Sequence, residues 1–437
     1  MLETMQKQRQ KRISVWVMLI FACLAVAACV SLPLLMPAPM AVFQTSGLQA
    51  GNVVVETLQL SEKIPEPSGL AFHPTRKTLF VTSRNSDQRW IYEVEPQTGK
   101  VTKWKSGGEV LQSSISRPCP QDLSQIGGRC GFKDEVFFLM DDFPTIFIDS
   151  KDQIYLALSY SNSGLFAPIP KEVGQIYQIK LIPPESYENP IIKKFPSTDP
   201  SRFKESPFVF ARPRSIITNK NNIMYVVDES KQMIRKIDQG FVFNLAGSPY
   251  VEGTSKPTYQ DGKGSEARFA NPFGITLDSN ENLYITDRRV GSIRKITPDG
   301  ATTTFAGPHT LAIATERRNK GIFYRDGLAN SAVFFDLTGI TIDTENNLYV
   351  SDTGNQAIRK ITPEGDVSTL AGQPSPMPTK IHATPLPYNS AFIDGPGSEA
   401  RFHSPIGLAL DDQGVLYVAD RGNQAIRRIK PLAEQKK

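Results

Sequence analysis

The chain has 437 residues, a formal net charge of +5 and only four cysteines. Residues 1–28 contain four basic residues and one acidic residue, which leaves about +2 for everything that follows. A nucleic-acid-binding surface normally concentrates basic residues on one face, whereas the Lys and Arg of this sequence are spread through it. The charge therefore argues against a nucleic-acid partner.

Residues 1–45 are predicted to be a signal anchor or a lipoprotein signal segment. Basic residues precede an uncharged stretch from Ile13 to Phe43, which is long enough to cross a bilayer. Because positive charge stays on the cytoplasmic side, the rest of the chain is expected at the cell membrane, facing the periplasm or the extracellular side. Three alternatives stay open: an uncleaved helical anchor near Ser14 to Met36, lipidation of Cys29 in the lipobox-like Val26-Ala27-Ala28-Cys29, or plain cleavage.

Short strands are predicted from residue 50 onward. Val53 to Leu58 is a lone strand, and two weak copies of a strand unit come after it. The first copy opens at Pro67-Ser68-Gly69-Leu70, and the second opens at Phe143-Pro144-Thr145-Ile146. Each continues with further β-branched and aromatic runs bounded by turn residues, which indicates additional strands.

Cys119 and Cys130 flank a polar, glycine-containing loop between the two weak copies. In an oxidising compartment such a pair is predicted to form a disulfide. The alternative is half of a zinc site, but a second nearby Cys or His pair is missing from the sequence.

Four stronger copies share a strand that ends in Asp and, six residues after the Asp, an Ile-Arg-Lys-Ile or Ile-Arg-Arg-Ile strand. A constant unit with variable connections marks a repeat architecture. Each Asp precedes a tight turn and is expected to accept backbone N–H bonds there. Because the Asp and the Arg recur with the unit, they are assigned structural roles. The residues concerned are Asp228, Asp287, Asp352 and Asp420, and Arg235, Arg294, Arg359 and Arg427.

Within one copy, apolar residues alternate with period two, and four short runs are separated by Asn, Asp, Gly and Pro. This pattern predicts a four-stranded antiparallel meander. One meander cannot bury both of its faces, whereas radially arranged meanders can. The predicted fold is all-β: a six-bladed β-propeller of four-stranded antiparallel blades over residues 50–432. The last copy lacks a fourth strand, and Val53 to Leu58 is expected to supply it and close the ring.

The segments between the strong copies carry a family resemblance. Asp261-Gly262-Lys263-Gly264-Ser265-Glu266-Ala267-Arg268-Phe269 and the similar run from Asp394 to Phe402 resemble the signature between NHL repeats. The likeness is strong over residues 211–430 and weak over residues 53–200. It implies a six-bladed NHL-type β-propeller. NHL-repeat proteins include extracellular and periplasmic ligand binders, protein-binding and RNA-binding modules, and a few lyases.

A more distant resemblance to gluconolactonase-type propellers implies a metal site at the central channel. In those proteins a Glu near the first blade binds a divalent metal together with an Asn and an Asp from later blades. The matching positions here are Glu66, Asn271 and Asp287, while Ser83 replaces the repeated Asp in the first copy. Such oxygen ligands would suit calcium, and otherwise no cofactor is expected.

Long inserts interrupt the units at residues 105–135, 308–325 and 373–389. They are predicted to be loops, and loops on a rigid scaffold usually carry binding. The expected function is that of a membrane-tethered, extracytoplasmic, monomeric propeller that binds a protein, peptide, glycan or small molecule at the rim of its channel. A metal-dependent hydrolase or lyase, lactonase-like or esterase-like, is the less favoured alternative. Assembly in the cell envelope is a third.

Overall fold

The structure is a computed structural model that describes residues 48–83, 90–105, 145–160, 173–180, 191–195, 210–239, 241–248, 259–374 and 392–432. The predicted membrane segment with Cys29 and the predicted Cys119–Cys130 disulfide lie outside these ranges, so both stay predictions. Across the ranges given, no helix is long and apolar enough to cross a membrane.

Antiparallel strands dominate the described residues and form six sheets. The first strand of the chain, β1 (Val53–Thr57), belongs to the last of these sheets. Sheet 1 contains β2 (Pro67–His73), β3 (Thr78–Ser83), β4 (Trp90–Val94) and β5 (Val101–Lys105). Sheet 2 contains β6 (Thr145–Ile148), β7 (Ile154–Tyr160), β8 (Val173–Lys180) and β9 (Ile191–Phe195).

Sheets 3 to 6 contain the four strong copies of the repeat. Sheet 3 contains β10 (Pro213–Thr218), β11 (Met224–Asp228), β12 (Met233–Asp238) and β13 (Phe241–Gly247). Sheet 4 contains β14 (Gly262–Lys263), β15 (Pro272–Leu277), β16 (Leu283–Asp287), β17 (Ser292–Ile296) and β18 (Ala301–Ala306). Sheet 5 contains β19 (Leu337–Ile342), β20 (Leu348–Asp352), β21 (Ala357–Ile361) and β22 (Val367–Ala371). Sheet 6 contains β1, β23 (Gly395–Pro396), β24 (Pro405–Leu410), β25 (Leu416–Asp420) and β26 (Ala425–Pro431).

The hydrophobic core lies between neighbouring sheets. For example, Tyr225 and Val227 of sheet 3 pack with Ile275 and Ile285 of sheet 4. Equivalent clusters join sheets 2 and 3, sheets 4 and 5, sheets 5 and 6, and sheets 6 and 1. The second strands β11, β16, β20 and β25 are buried along their whole length. Each sheet therefore needs a neighbour on both faces, which a ring provides.

The first strand of each meander borders one central cavity. β2, β6, β10, β15, β19 and β24 contact one another in that order, and β24 contacts β2. Together they line a cavity of about 220 Å³. This radial arrangement of small antiparallel sheets is a β-propeller. The predicted all-β class and propeller architecture are therefore confirmed.

Close packing of the first strands explains why glycine recurs at their third position. A Cβ atom on Gly274, Gly339 or Gly407 would lie 2.4, 2.1 or 2.2 Å from a carbonyl oxygen of the next sheet's first strand. In sheets 2 and 3, the hydroxyl of Thr145 donates to the carbonyl of Arg214 near the start of both first strands. Because equivalent strand positions meet, the first strands run side by side in one direction and begin at one end of the cavity.

The ring is closed by pairing between distant parts of the chain. β1 pairs antiparallel with β26, so that Val53 lies opposite Pro431 and Thr57 lies opposite Arg427. On its other side, β1 pairs with β23. The last sheet thus contains the strand that its own repeat lacks, and the predicted use of this strand is confirmed.

The predicted loop over residues 308–325 is wrong in part, because it contains a helix, α1 (Leu311–Asn319). The hydroxyl of Thr310 caps this helix by accepting from the N–H of Ile313 at 3.2 Å. Only Leu311 and Ala314 supply its packed apolar side, so the sequence shows no helical periodicity. Single 3₁₀ turns occupy Gly264–Glu266, Thr353–Asn355 and Arg421–Asn423.

Gly339→Ala is expected to lower the free energy of unfolding by about 3 kcal/mol, because the new Cβ would overlap the carbonyl oxygen of Ile406. Gly414→Ala is the matched control: Gly414 has φ +75° and open space around it, so alanine adds only about 1 kcal/mol of backbone strain. Urea unfolding measures both losses. Equal losses would show that contact between first strands is not what requires glycine.

Candidate functional site

A buried arginine lies in the third strand of each of sheets 4, 5 and 6. Arg294, Arg359 and Arg427 are completely buried. Each guanidinium carbon lies between 4.1 and 5.1 Å from the centroids of two aromatic rings. Such cation–π contacts stabilise a charge that has lost its water. Burial therefore agrees with the structural role predicted from recurrence.

Arg359 illustrates the hydrogen bonds that the terminal nitrogens of this arginine donate. Its Nη1 donates to Asp352 Oδ2 at 2.6 Å and to Val333 O at 3.2 Å. Its Nη2 donates to Arg325 O at 2.9 Å and to Asp326 Oδ1 at 2.5 Å. One side chain therefore joins β20 and β21 to the segment that leads into β19.

The carboxylate of the Asp-Gly turn also binds the outermost strand. Asp326 accepts from the backbone N–H and the hydroxyl of Thr369 in β22, at 3.1 and 3.2 Å. Asp394 accepts in the same way from Thr57 of β1, at 3.0 and 2.9 Å. These bonds give a physical reason for the Asp-Gly pair of the NHL-like signature, since its carboxylate links the buried arginine to the sheet edge.

The repeated Asp residues bind a different segment from the one expected. All four accept backbone N–H bonds from residues 16 or 17 positions earlier, where the chain enters the first strand. Asp352, for example, accepts from Phe335 at 2.8 Å. At Asp287, burial raises the pKa of the carboxyl, while Arg294 and nearby backbone N–H groups, including that of Val290 in the following turn, lower it. Burial raises the pKa of Asp352, and Arg359 opposes that rise.

Sheet 3 contains a looser copy of the same site. Arg235 Nη1 lies 4.0 Å from Asp228 Oδ2, and the Arg235 side chain is 12% exposed. The ring of Phe210 lies 6.0 Å from its guanidinium carbon. Arg235 therefore supplies an internal comparison for the fully buried arginines.

Arg359→Met is expected to lower the free energy of unfolding by about 3–5 kcal/mol, because Asp352 would stay buried without its cation. Arg235→Met should cost less, about 1–2 kcal/mol, since its ion pair is longer and the buried Asp228 keeps the backbone N–H bonds from Ala211 and Arg212. Chemical unfolding of the two variants provides the measurement. If Arg235→Met lowers the free energy of unfolding as much as Arg359→Met, full burial and the short ion pair of Arg359 are not what makes this arginine important.

The strands that precede the three long inserts all end at one face of the propeller, although the inserts at residues 105–135 and 373–389 lie almost entirely outside the described residues. Each first strand begins, and each fourth strand ends, at the same end of its antiparallel sheet. β5, β18 and β22 are fourth strands, and the inserts at residues 105–135, 308–325 and 373–389 follow them. We call this the insert face. The opposite face carries the turns between first and second strands.

On the insert face, ion pairs join neighbouring sheets at the position that follows the repeated Asp. Arg421 donates to Glu66 Oε2 at 3.1 Å, across the closure between sheets 6 and 1. Arg288 donates to Asp336 Oδ1 at 2.6 Å, between sheets 4 and 5. In both pairs the carboxylate precedes the next first strand.

Two further junctions have polar bonds of different chemistry, one at the same two positions and one that reaches the first residue of the next first strand. Asn271 Nδ2 donates to Glu229 Oε1 at 2.6 Å, between sheets 3 and 4. The hydroxyl of Thr353 donates to Pro405 O at 2.7 Å, between sheets 5 and 6. A polar bond at each of these four junctions therefore ties one sheet to the next.

The three predicted metal ligands take part in contacts of this kind. Glu66 pairs with Arg421, Asn271 bonds to Glu229, and Asp287 is completely buried and accepts the N–H of Asn271 at 2.8 Å. Over the described ranges, no group of three or more His, Cys, Asp or Glu side chains is arranged to hold a metal ion. The calcium site, and the hydrolase or lyase activity that depends on it, stay predictions.

Glu66→Gln is expected to lower the free energy of unfolding by less than about 1 kcal/mol, because both partners of the Glu66–Arg421 pair are partly exposed. The divalent-metal content of the purified chain, measured by mass spectrometry, should not change. Asp336→Asn, which weakens the equivalent junction between sheets 4 and 5, is the control. One equivalent of calcium that only Glu66→Gln removes would instead identify Glu66 as a metal ligand.

Sequence reasoning missed a charged group at the insert-face end of the cavity. Arg214 of β10 is buried, pairs with Glu229 and lies 5.3 Å from the ring of Phe273, while Arg288 lies 4.8 Å from the same ring. Burial lowers the pKa of Arg212, and the nearby charge of Arg214 lowers it further. The signal was present, because the other strong copies have Phe, Thr or Ile at the position of Arg214.

The sheets and their repeated contacts define an NHL-type β-propeller. An auxiliary nutrient binding protein from Bacteroides thetaiotaomicron superposes with a TM-score of 0.54 at 15% identity, covering 87% of this chain and 77% of that chain. A structural genomics protein of unknown function from the same species gives a TM-score of 0.52 at 20% identity, covering 86% and 76%. At these identities the likeness shows the fold alone.

The family model of the teneurin NHL domain matches residues 201–430, which is more than half of the chain. The chain belongs to the teneurin NHL domain family, and the predicted NHL resemblance is confirmed. Teneurin-3 of Mus musculus is 30% identical over 231 residues, 50% of this chain and 8% of the mouse protein. The protein SUPPRESSOR OF QUENCHING 1, chloroplastic, of Arabidopsis thaliana is 25% identical over 231 residues, 52% of this chain and 20% of that protein. The match thus spans a small part of each relative.

Proposed function

We propose that this chain is a protein-binding NHL propeller whose partner docks on the insert face. The observation that carries the proposal is the position of the inserts: all three follow fourth strands that end on that face. Long connections on a rigid ring are where binding residues usually lie. The first strands also begin there, so the cavity opens next to the inserts.

The size of the cavity favours a protein over a small molecule as the ligand. Pockets for drug-sized ligands usually measure about 300–1,000 Å³, whereas the central cavity measures about 220 Å³. The NHL-repeat proteins that this chain resembles also include protein-binding modules. A peptide or a glycan could also bind this surface. The identity of the molecule captured by crosslinking distinguishes these ligands from a protein.

The proposal includes the setting that the sequence predicts. Each of the six sheets serves as one blade of a monomeric ring. Residues 1–45 tether the ring to the cell membrane, through an apolar helix or through lipidated Cys29, with the propeller on the periplasmic or extracellular side. A disulfide between Cys119 and Cys130 stabilises the first insert. The basic flank and the uncharged stretch from Ile13 to Phe43 support this arrangement.

Site-specific photo-crosslinking tests which face binds a partner. A photoreactive residue in place of exposed Thr315 on the insert face is expected to capture a protein in cells that express the full chain. The same residue in place of exposed Lys220 or Asn280, in turns on the opposite face, is the control. Mass spectrometry identifies the captured molecule. Capture only from the opposite face, or equally from both, would contradict the proposal.

A further inference from the structure

We propose that the insert face recognises an acidic segment of its protein partner through a basic patch of Arg289, Arg317, Arg318 and Arg325. The inference rests on the proposed function, because it names the chemistry of the protein that docks there. It concerns a specific sector of the insert face, beside sheets 4 and 5.

Three segments of the chain supply the basic patch. Arg317 and Arg318 lie in the last turn of α1, Arg289 lies in the turn after β16, and Arg325 follows the helix. Arg318 donates to the backbone carbonyl of Arg289, which fixes α1 against the turn. Arg317 donates to the carbonyl of Ala332 at 3.0 Å. Two of the four guanidinium groups are therefore oriented before any partner binds.

The carboxylates nearest to the basic patch already bind other cations. Asp336 pairs with Arg288 at 2.6 Å, and Glu316 pairs with Lys320 at 2.6 Å. Carbonyl oxygens orient Arg317 and Arg318 but do not neutralise their charge. The patch therefore keeps an excess of positive charge.

The members of the basic patch also repel one another. Burial lowers the pKa of Arg318, and the nearby charge of Arg289 lowers it further. Burial and the charge of Arg325 act in the same way on Arg317. The side chains of Arg289 and Arg325 are exposed and form no hydrogen bond or ion pair with other described residues. An anion placed among these groups would relieve the repulsion.

The composition of the surface favours a protein carboxylate over a phosphate backbone. A guanidinium group binds a carboxylate or a phosphate through two parallel hydrogen bonds, so the apolar surface nearby decides between them. Leu328, three residues after Arg325, is 66% exposed, so the segment that contains Arg325 also presents apolar surface. An acidic protein segment that also carries apolar side chains fits both features. A nucleic acid would offer phosphates to the arginines and leave Leu328 uncovered.

A labelled peptide rich in Glu and Leu is the probe that tests this proposal. Fluorescence anisotropy with the full chain at low ionic strength is expected to show binding that weakens as salt is added. Arg289→Glu combined with Arg325→Glu should weaken it about tenfold or more, because two attractions become repulsions. Arg289→Gln combined with Arg325→Gln should give an intermediate loss, which keeps the test meaningful if the charge reversal disturbs folding.

Lys151→Glu combined with Lys220→Glu is the matched control, since both lysines are exposed in turns of the opposite face and the charge changes equally. A loss as large in this control, or no loss in either patch variant, would overturn the inference. Capture by crosslinking on the insert face would in that case still support the proposed function. A short DNA duplex or vesicles of phosphatidylserine serve as competitors. If either binds the patch more tightly than the peptide, the patch recognises phosphates and the acidic-protein assignment is overturned.

Discussion

The repeated buried arginine is the interaction on which the rest of the propeller depends. A guanidinium group without water is unfavourable unless carboxylates, carbonyls and ring faces replace its hydration. Arg359 meets that requirement only when β20, β21, the turn at Asp326 and the segment before β19 are all in place. A partly formed site would leave a buried charge unpaired, so the arginine couples the formation of one sheet to the path of the chain into that sheet.

The same coupling determines where the chain accommodates extra residues. The inserts after β18 and β22 lie between the end of a fourth strand and an Asp-Gly turn, and that turn is fixed by the arginine and by the outermost strand. The stretch after β18 therefore holds α1 without displacing the strands on either side. Arg325 takes part in both the fold and the proposed binding surface. Its backbone carbonyl accepts a hydrogen bond from Arg359, and its side chain belongs to the basic patch. The proposed recognition surface is therefore held in place at Arg325 by the buried arginine of sheet 5.

Much of the fold could be predicted because its signals are local: period-two strands, turn residues and a repeated unit. The pairing of β1 with β26 was also predictable, because a missing strand at one end matched a spare strand at the other. Side-chain contacts between distant segments were not predictable. Glu66 and Arg421 are 355 positions apart, and nothing near Glu66 in the sequence indicates that pair. Three arginines of the basic patch lie close together in the sequence, in the insert at residues 308–325. Arg289 could not be added to them from the sequence, because it joins them only where α1 rests on the turn at Arg289.

The junctions on the insert face show how the ring separates stability from recognition. The junctions contain an ion pair between Arg288 and Asp336, an amide–carboxylate bond between Asn271 and Glu229, and a hydroxyl–carbonyl bond from Thr353 to Pro405. Packing therefore requires a polar bond at these junctions but does not dictate its chemistry. Side chains on this face can differ in charge from sheet to sheet while the interior stays nearly identical. That freedom explains how repeated sheets can present a basic patch: the repeated Asp and Arg supply rigidity, and in the proposed function the unrepeated residues beside sheets 4 and 5 supply selectivity.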